Sequence, residues 1–209
     1  MLKLIPIFVV FLGAAVASPS ADQYFDSVIH AVGQELRVLG LDPAPLSNFN
    51  VRFGPQALAE AQFTRGNVTN LHQIRRKGAC QGPKTVRGET SINCTLSLYP
   101  VLTQHQVYIR NGSAAYSLRS QGNVAESLIY VAVSGPAGGY PGSVKNYRVD
   151  RFGQITAKFA PFPTALNKYA KVLQDTYRNQ VSTELFNILQ QRYVYAISRA
   201  AANKPMPRQ

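Results

Sequence analysis

The chain has 209 residues and carries 22 Lys and Arg against 10 Asp and Glu, a formal net charge of +12. Its length suits one domain with a well-packed core and is too short for two such domains. The excess of positive charge favours anionic partners.

Residues 1–17 have the features of a signal peptide: Lys3, an apolar run over residues 4–16, and small residues Ala15 and Ala17 at the spacing that signal peptidase prefers. No later segment approaches the roughly 18 consecutive apolar residues that indicate a membrane-spanning helix. We therefore predict a secreted, extracellular protein in which residues 18–209 form a single domain.

The mature chain begins with a predicted helix, capped by Ser20 or Asp22 and ended by Gly40. Spacings of three and four residues place its apolar side chains on one face. These are Tyr24, Phe25, Val28, Ile29, Val32, Leu36 and Leu39.

Apolar and polar residues then alternate over residues 58–134, which is typical of strands with one buried face. The clearest example is the row Ile92, Cys94, Leu96 and Leu98. Asn111-Gly112 is a hairpin-turn signal, and residues 135–142 form a connection rich in Gly and Pro. The predicted strands cover residues 63–74, 106–110, 114–120, 126–133, 144–149 and 153–159, in the order of an antiparallel meander.

Cys80 and Cys94 are the only cysteines, and in an exported chain we expect them to form a disulfide that staples a hairpin. A metal site is the poorer interpretation, because no clustered histidines or further cysteines complete four ligands. Asn67, Asn93 and Asn111 begin sequons, so they are predicted glycosylation sites.

Residues 164–204 contain no Gly or Pro, and this segment predicts one long helix. Its apolar side chains recur every fourth residue, and each such step overshoots a helical turn by roughly 40°. The apolar row therefore spirals, which favours a curved partner over a coiled coil. Its members are Leu173, Tyr177, Val181, Leu185, Leu189, Tyr193 and Ile197.

No catalytic signature is present: His30, His72 and His105 lie in separate elements, and the acids are scattered singly. We therefore predict no enzymatic activity, no cofactor and no metal. No nucleic-acid partner is expected either, because core packing accounts for the Tyr and Phe residues before base stacking does.

The segment Leu71-His72-Gln73-Ile74-Arg75-Arg76-Lys77-Gly78, which follows a strand containing Phe63 and Gly66, resembles the L-x-x-(apolar)-x-R-x-G element of group 7 mite allergens. The closing helix is similar too, with residues 172–178 followed by Glu184-Leu185 and Ile188-Leu189 before Tyr193. This resemblance covers roughly residues 58–200.

That family belongs with the juvenile-hormone-binding and takeout-like proteins of arthropods and with the bactericidal/permeability-increasing and lipopolysaccharide-binding proteins, in the tubular lipid-binding superfamily. The resemblance implies an arthropod protein of the α+β class, in which a strongly curved antiparallel sheet wraps the long helix and holds lipids or other apolar molecules without catalysis. The strongly basic charge and the proline-rich segment after the first helix depart from the family pattern.

We therefore predict a secreted binding protein that holds a lipid or other apolar or amphipathic ligand between helix and sheet. The predicted lining residues are Leu173, Tyr177, Val181 and Leu185 on the helix and Ile92, Leu96 and Leu98 on a strand. The alternative is a filled core with surface binding, in which Arg75, Arg76 and Lys77 engage anionic lipid, a bacterial envelope or glycosaminoglycan.

The signal sequence and the cysteine pair give a first prediction. The natively secreted protein should begin at Ser18 or Pro19 and should be two hydrogens lighter than its reduced form, because Cys80 and Cys94 are joined. Intact-mass spectrometry before and after reduction measures both. Two thiols that react with an alkylating agent before reduction would contradict the disulfide.

Overall fold

The structure is a computed structural model and describes residues 19–207, so the predicted signal peptide lies outside the described residues. The chain forms helix α1 (Pro19–Val38), eleven strands, and a long C-terminal helix. The strands are β1 (Ala44–Leu46), β2 (Phe49–Phe53), β3 (Ala59–Thr69), β4 (Ile74–Arg76), β5 (Gln81–Val86), β6 (Glu89–Leu98), β7 (Val101–Asn111), β8 (Ala114–Val124), β9 (Ser127–Pro136), β10 (Ser143–Arg151) and β11 (Ile155–Ala160).

The C-terminal helix is continuous but not uniform. A 3₁₀ helix (Thr164–Tyr169) leads into α2 (Ala170–Asn187), followed by a π-helical segment (Ile188–Tyr193) and α3 (Val194–Ala202). At about 1.5 Å per residue, the part from α2 to α3 is roughly 50 Å long. The predicted helix over residues 164–204 is therefore correct in extent, and its ends and middle depart from α-helical geometry.

The strands form two antiparallel sheets. Sheet A has the order β1-β3-β7-β8-β11, with β2 also paired to β3, and sheet B has the order β10-β9-β6-β4, with β5 also paired to β6. The predicted α+β class, with a long C-terminal helix, a shorter N-terminal helix and a large antiparallel sheet, is confirmed. Among the described residues no helix is both long enough and apolar enough to cross a membrane.

The predicted meander is wrong where the chain crosses between the sheets, since β3 pairs with β7 and β6 with β9. The crossings are themselves joined in pairs by backbone hydrogen bonds. The Tyr99 N–H donates to the Gln73 carbonyl at 3.2 Å, and the Ala125 N–H donates to the Gln154 carbonyl at 2.9 Å. These hydrogen bonds join the two sheets where the chain crosses between them.

The predicted strand over residues 63–74 is interrupted, because β3 ends at Thr69 and β4 begins at Ile74. The Asp42 carboxylate accepts the N–H groups of Asn70 at 2.9 Å and of His72 at 3.0 Å, so the backbone turns there. This partner lies about 30 residues earlier in the chain, which is why strand periodicity did not reveal the turn.

Helix α1 matches the prediction at its C-terminal end, where Gly40 has φ +62°. The predicted cap at Asp22 is wrong, because Asp22 lies inside the first turn and its carboxylate accepts the Cys80 N–H at 2.8 Å. The predicted disulfide between Cys80 and Cys94 is present and closes the β5–β6 hairpin.

The crossing at Gly153 gives a prediction about stability. A Cβ atom at Gly153 would lie 1.8 Å from the Ala125 carbonyl oxygen, so Gly153→Ala forces two backbone segments apart and should cost more than about 2 kcal/mol of unfolding free energy. At Gly33, inside α1, the nearest atom to such a Cβ is 3.8 Å away.

The matched control is therefore Gly33→Ala, which should stabilise the protein by up to about 1 kcal/mol because alanine favours helix. Chemical denaturation measures both variants. Similar small effects at the two positions would contradict the close approach of the crossings.

Candidate ligand-binding site

The predicted helix row lies in the core, with Leu173, Tyr177, Val181 and Leu185 all at most 1% exposed. Helix α2 packs against β11 and β2, which are outer strands at opposite edges of sheet A. Sheet A therefore curves around α2, and the helix occupies the space between its edges.

The three predicted lining residues of β6 lie elsewhere. Ile92, Leu96 and Leu98 are buried on sheet B, whose neighbours include α1 and α3. The structure thus places the predicted helix residues against sheet A and the predicted β6 residues in sheet B. Their assignment to a ligand stays a prediction.

An aromatic cluster fills the space between sheet A and α2. The Phe49 and Phe63 rings stack at 4.3 Å, and the Tyr177 ring lies 5.8 Å from Phe63 and 6.0 Å from Phe159. Phe63 and Tyr177 are fully buried, whereas Phe49 and Phe159 are half-buried. The cluster therefore extends from the centre of the core towards the surface at both edges of sheet A.

The Tyr177 hydroxyl shares a hydrogen bond of 3.0 Å with the Thr103 hydroxyl. Burial raises the pKa of Tyr177, although hydrogen bonds with Thr103 and Ser120 act in the opposite direction. The phenol is thus protonated at neutral pH and has a partner within the protein, which is how a packed core satisfies a buried polar group.

His105 lies in the same cluster and is 1% exposed, with its ring centroid 5.6 Å from that of Tyr177. Its Nε2–H donates to the Ser47 carbonyl at 3.3 Å. Burial lowers the pKa of His105, so the ring is neutral near pH 7. A Cβ at Gly66 would lie 2.1 Å from Nε2, so this glycine allows the ring to lie against β3.

A cavity of about 250 Å³ opens between α2 and the connection from β10 to β11. Its apolar side chains are Phe152 and Ile155, and its polar ones on the helix are Arg178, Asn179 and Ser182. Sequence reasoning missed these residues. Arg178 belongs to the helix motif of residues 172–178, but only the fold shows that it lines the same cavity as Phe152.

The cavity adjoins the aromatic cluster. A Cβ at Gly122 would lie 3.0 Å from an Ile155 methyl group and 3.2 Å from the Tyr177 ring, so both side chains lie against this glycine of β8. We call the region where Phe152, Ile155 and Phe159 face Tyr177 and Arg178 the α2–β11 seam.

Two residues of the predicted anion-binding run are engaged in ion pairs. Arg76 bonds Asp26 at 2.7 Å and Asp22 at 3.0 Å on α1. Arg75 is exposed on the same short strand. The acids of α1 thus offset part of the charge that the sequence placed here.

Lys77 bonds Glu126 at 2.8 Å, and Arg151 bonds the other oxygen of that carboxylate at 2.6 Å. The hydrogen bond from Lys77, with a second from Ser97, lowers the pKa of Glu126 to about 2. Glu126 is therefore ionised at physiological pH. The run keeps its status as a predicted anion site, with less free charge than its sequence indicates.

Of the three sequon asparagines, all are half-buried: Asn67 on β3, Asn93 on β6 and Asn111 at the end of β7. Their glycosylation stays a prediction.

Two solved structures are similar to this chain: lipopolysaccharide binding protein, at 14% sequence identity with a TM-score of 0.46, and Takeout 1 of Epiphyas postvittana, at 11% with a TM-score of 0.45. Each similarity covers 86% of this chain; it covers 40% of lipopolysaccharide binding protein and 91% of Takeout 1. No family model and no curated protein matches.

This chain therefore spans well under half of the lipopolysaccharide binding protein that it resembles. Both proteins are of classes that the sequence resemblance named within the tubular lipid-binding superfamily. Similarity at this level does not place the chain in either family, and the resemblance to group 7 mite allergens stays a prediction.

The bond between Tyr177 and Thr103 gives a testable prediction. Tyr177→Phe removes the phenol from its bond with the Thr103 hydroxyl, and Thr103→Val removes that bond while leaving the phenol its interaction with Ser120, so each should cost about 1 kcal/mol of unfolding free energy. The double variant should cost clearly less than the sum, since neither partner is then left unpaired. Denaturant unfolding measures the cycle, and strict additivity would contradict the coupling.

Proposed function

We propose that the protein is a non-catalytic binding protein that holds an apolar or amphipathic small molecule at the α2–β11 seam. The observation that supports this most directly is the cavity of about 250 Å³ between Phe152, Ile155 and the polar side chains of α2. It lies between the long helix and the sheet, which is the general position that the sequence predicts for a ligand, although none of the predicted lining residues borders it. Its volume is just under the roughly 300 Å³ at which typical ligand pockets begin.

The seam can widen to admit a longer ligand. Among the described residues no backbone hydrogen bond joins α2 to β11, so side-chain packing alone holds the helix to this edge. Separating the two elements would cost apolar contact area, which an apolar ligand restores, and would leave no backbone group unpaired. The half-buried Phe159 lies along that path.

Arg178 supports an amphipathic ligand with an anionic head. Its side chain is 50% exposed at the cavity and bonds Asp175 at 2.7 Å. Asp175 also accepts from Lys171 at 2.7 Å, so it keeps a cationic partner if Arg178 turns towards a ligand. A guanidinium binds a carboxylate or phosphate through two parallel hydrogen bonds. Secretion, and with it an extracellular carrier role, rests on the predicted signal peptide and is part of the same proposal.

The test is saturable binding of a fluorescent polyene fatty acid, cis-parinaric acid. Asn179→Phe places a ring in the cavity and should raise the Kd about tenfold or more, while leaving the Tm nearly unchanged because Asn179 is exposed. The matched control is Gln180→Phe, since Gln180 is the adjacent exposed amide and does not line the cavity.

A second variant tests the head group. Arg178→Gln should weaken the binding of the fatty acid more than that of the corresponding alcohol, which lacks the carboxylate. Absence of saturable binding by the wild-type protein, or equal weakening by Asn179→Phe and Gln180→Phe, would contradict the proposed site.

A further inference from the structure

The outer face of sheet A is a polar surface that the α2–β11 seam does not use. On β7 and β8 buried residues alternate with exposed ones, and the exposed row is rich in amides. We call this surface the amide face and define it by Arg65, Gln104, Gln106, Arg119, Gln121 and Lys158, all of which are exposed.

The amide face is indented and not smooth. Three depressions, of about 560, 290 and 160 Å³, lie side by side on it. Gln106 and Arg119 line the first and second, Gln104 lines the second and third, and Gln121 lines the first and third. Because neighbouring depressions share their walls, they form one trough across β3, β7, β8 and β11.

The trough carries positive charge without a counter-charge. Among the described residues Arg65, Arg119 and Lys158 form no ion pair with an acid. No Asp or Glu lines any of its three depressions. This contrasts with Arg76 and Lys77, whose charges are offset by acids of other elements.

The strand register places the polar groups in rows. Gln104 is opposite Gln121, which is opposite Lys158, and in the next row Gln106 is opposite Arg119. Neighbouring strands are about 4.8 Å apart, so an extended molecule lying across the strands meets an amide or a cation at each step. Such repetition suits a polymer better than a single small anion.

Arg65 reaches the trough through an irregularity of β3. The register between β3 and β7 shifts between Thr64 and Asn67, and Arg65 has φ +51°, a left-handed conformation that a non-glycine residue seldom adopts. The Asn48 side chain holds it there by accepting the Arg65 N–H at 3.1 Å. The bulge turns the arginine onto the 290 Å³ depression.

Asn67 borders the same depression, and its Oδ1 is buried with no hydrogen-bond partner among the described residues. A buried acceptor without a partner is unfavourable, and a donor supplied by a ligand would satisfy it once the Asn67 side chain turns into the depression. A sugar hydroxyl is such a donor.

We propose that the amide face binds an anionic polysaccharide. Side-chain amides both donate to and accept from sugar hydroxyls, the three cations pair with sulfate or carboxylate groups along the chain, and the trough gives a flexible polymer a continuous track. A membrane surface fits less well, because insertion needs a cluster of exposed apolar side chains, whereas Tyr108 and Leu102 lie in separate depressions, each beside amides or cations. This inference does not depend on the proposed function of the seam.

The test compares two variants of equal charge. In the first, Arg65, Arg119 and Lys158 are each replaced by Gln; in the control, the exposed cations Arg75, Lys84 and Arg87 are replaced by Gln. Binding of a size-defined heparin oligosaccharide is measured by calorimetry at low and physiological salt, on protein produced without N-glycosylation, since Asn67 is a predicted glycosylation site. Two alternative probes are used: vesicles that contain an anionic phospholipid, and dextran, which is a neutral polysaccharide.

We expect saturable heparin binding by the wild-type protein that the amide-face variant weakens about tenfold or more and the control variant much less. The uncharged change Gln104→Ala with Gln121→Ala should also weaken it, which a general charge effect would not produce. The proposal would be overturned if the two triple variants lost equal affinity for heparin, or if Gln104→Ala with Gln121→Ala had no effect. Binding to the anionic vesicles in place of heparin would also overturn it. Circular dichroism confirms that each variant is folded.

Discussion

The architecture depends on how one helix keeps an apolar row against a curved wall over about 50 Å. Apolar residues spaced by four drift around an α-helix, and the row would leave the core within a few turns if nothing compensated. The π-helical segment Ile188–Tyr193 supplies part of the compensation, because its i→i+5 pattern takes more residues per turn. Leu189 and Tyr193 stay buried as a result. The Tyr147 hydroxyl donates to the Leu189 carbonyl inside this segment at 2.8 Å and ties it to sheet B.

The two halves of the helix are held in place by different interactions. Its C-terminal half is fixed by hydrogen bonds from tyrosines, since the Tyr193 hydroxyl also donates to the Leu71 carbonyl at 2.8 Å. Burial raises the pKa of both Tyr147 and Tyr193, so both remain protonated donors under physiological conditions. The N-terminal half, α2, contacts β11 through side chains alone. The contact of α2 with β11 is therefore easier to open than the contacts of the C-terminal half, and the cavity lies beside α2.

Local patterns in the sequence were sufficient for the fold class, since the four-residue row predicts the long helix and the alternation around Cys94 predicts a half-buried strand. The crossings between sheets were not predictable, because they depend on bonds such as that from Ala125 to Gln154, between residues far apart in the chain. The cavity escaped prediction for the same reason. Phe152 and Arg178 meet only after the connection from β10 has been placed against α2.

The distribution of charge on the folded surface also differs from its distribution along the sequence. Among the described residues, seven of the ten acids form ion pairs with Lys or Arg: Asp22, Asp26, Glu35, Glu89, Glu126, Asp150 and Asp175. None of these pairs involves a cation of the amide face. Since 22 Lys and Arg share 10 acids, an excess of cations must remain, and the fold concentrates part of it on sheet A. The densest basic run in the sequence lies beside acids, whereas Arg65, Arg119 and Lys158, scattered along the chain, share one trough. The clustering of unpaired cations on sheet A is therefore a property of strand register, which no window of consecutive residues contains.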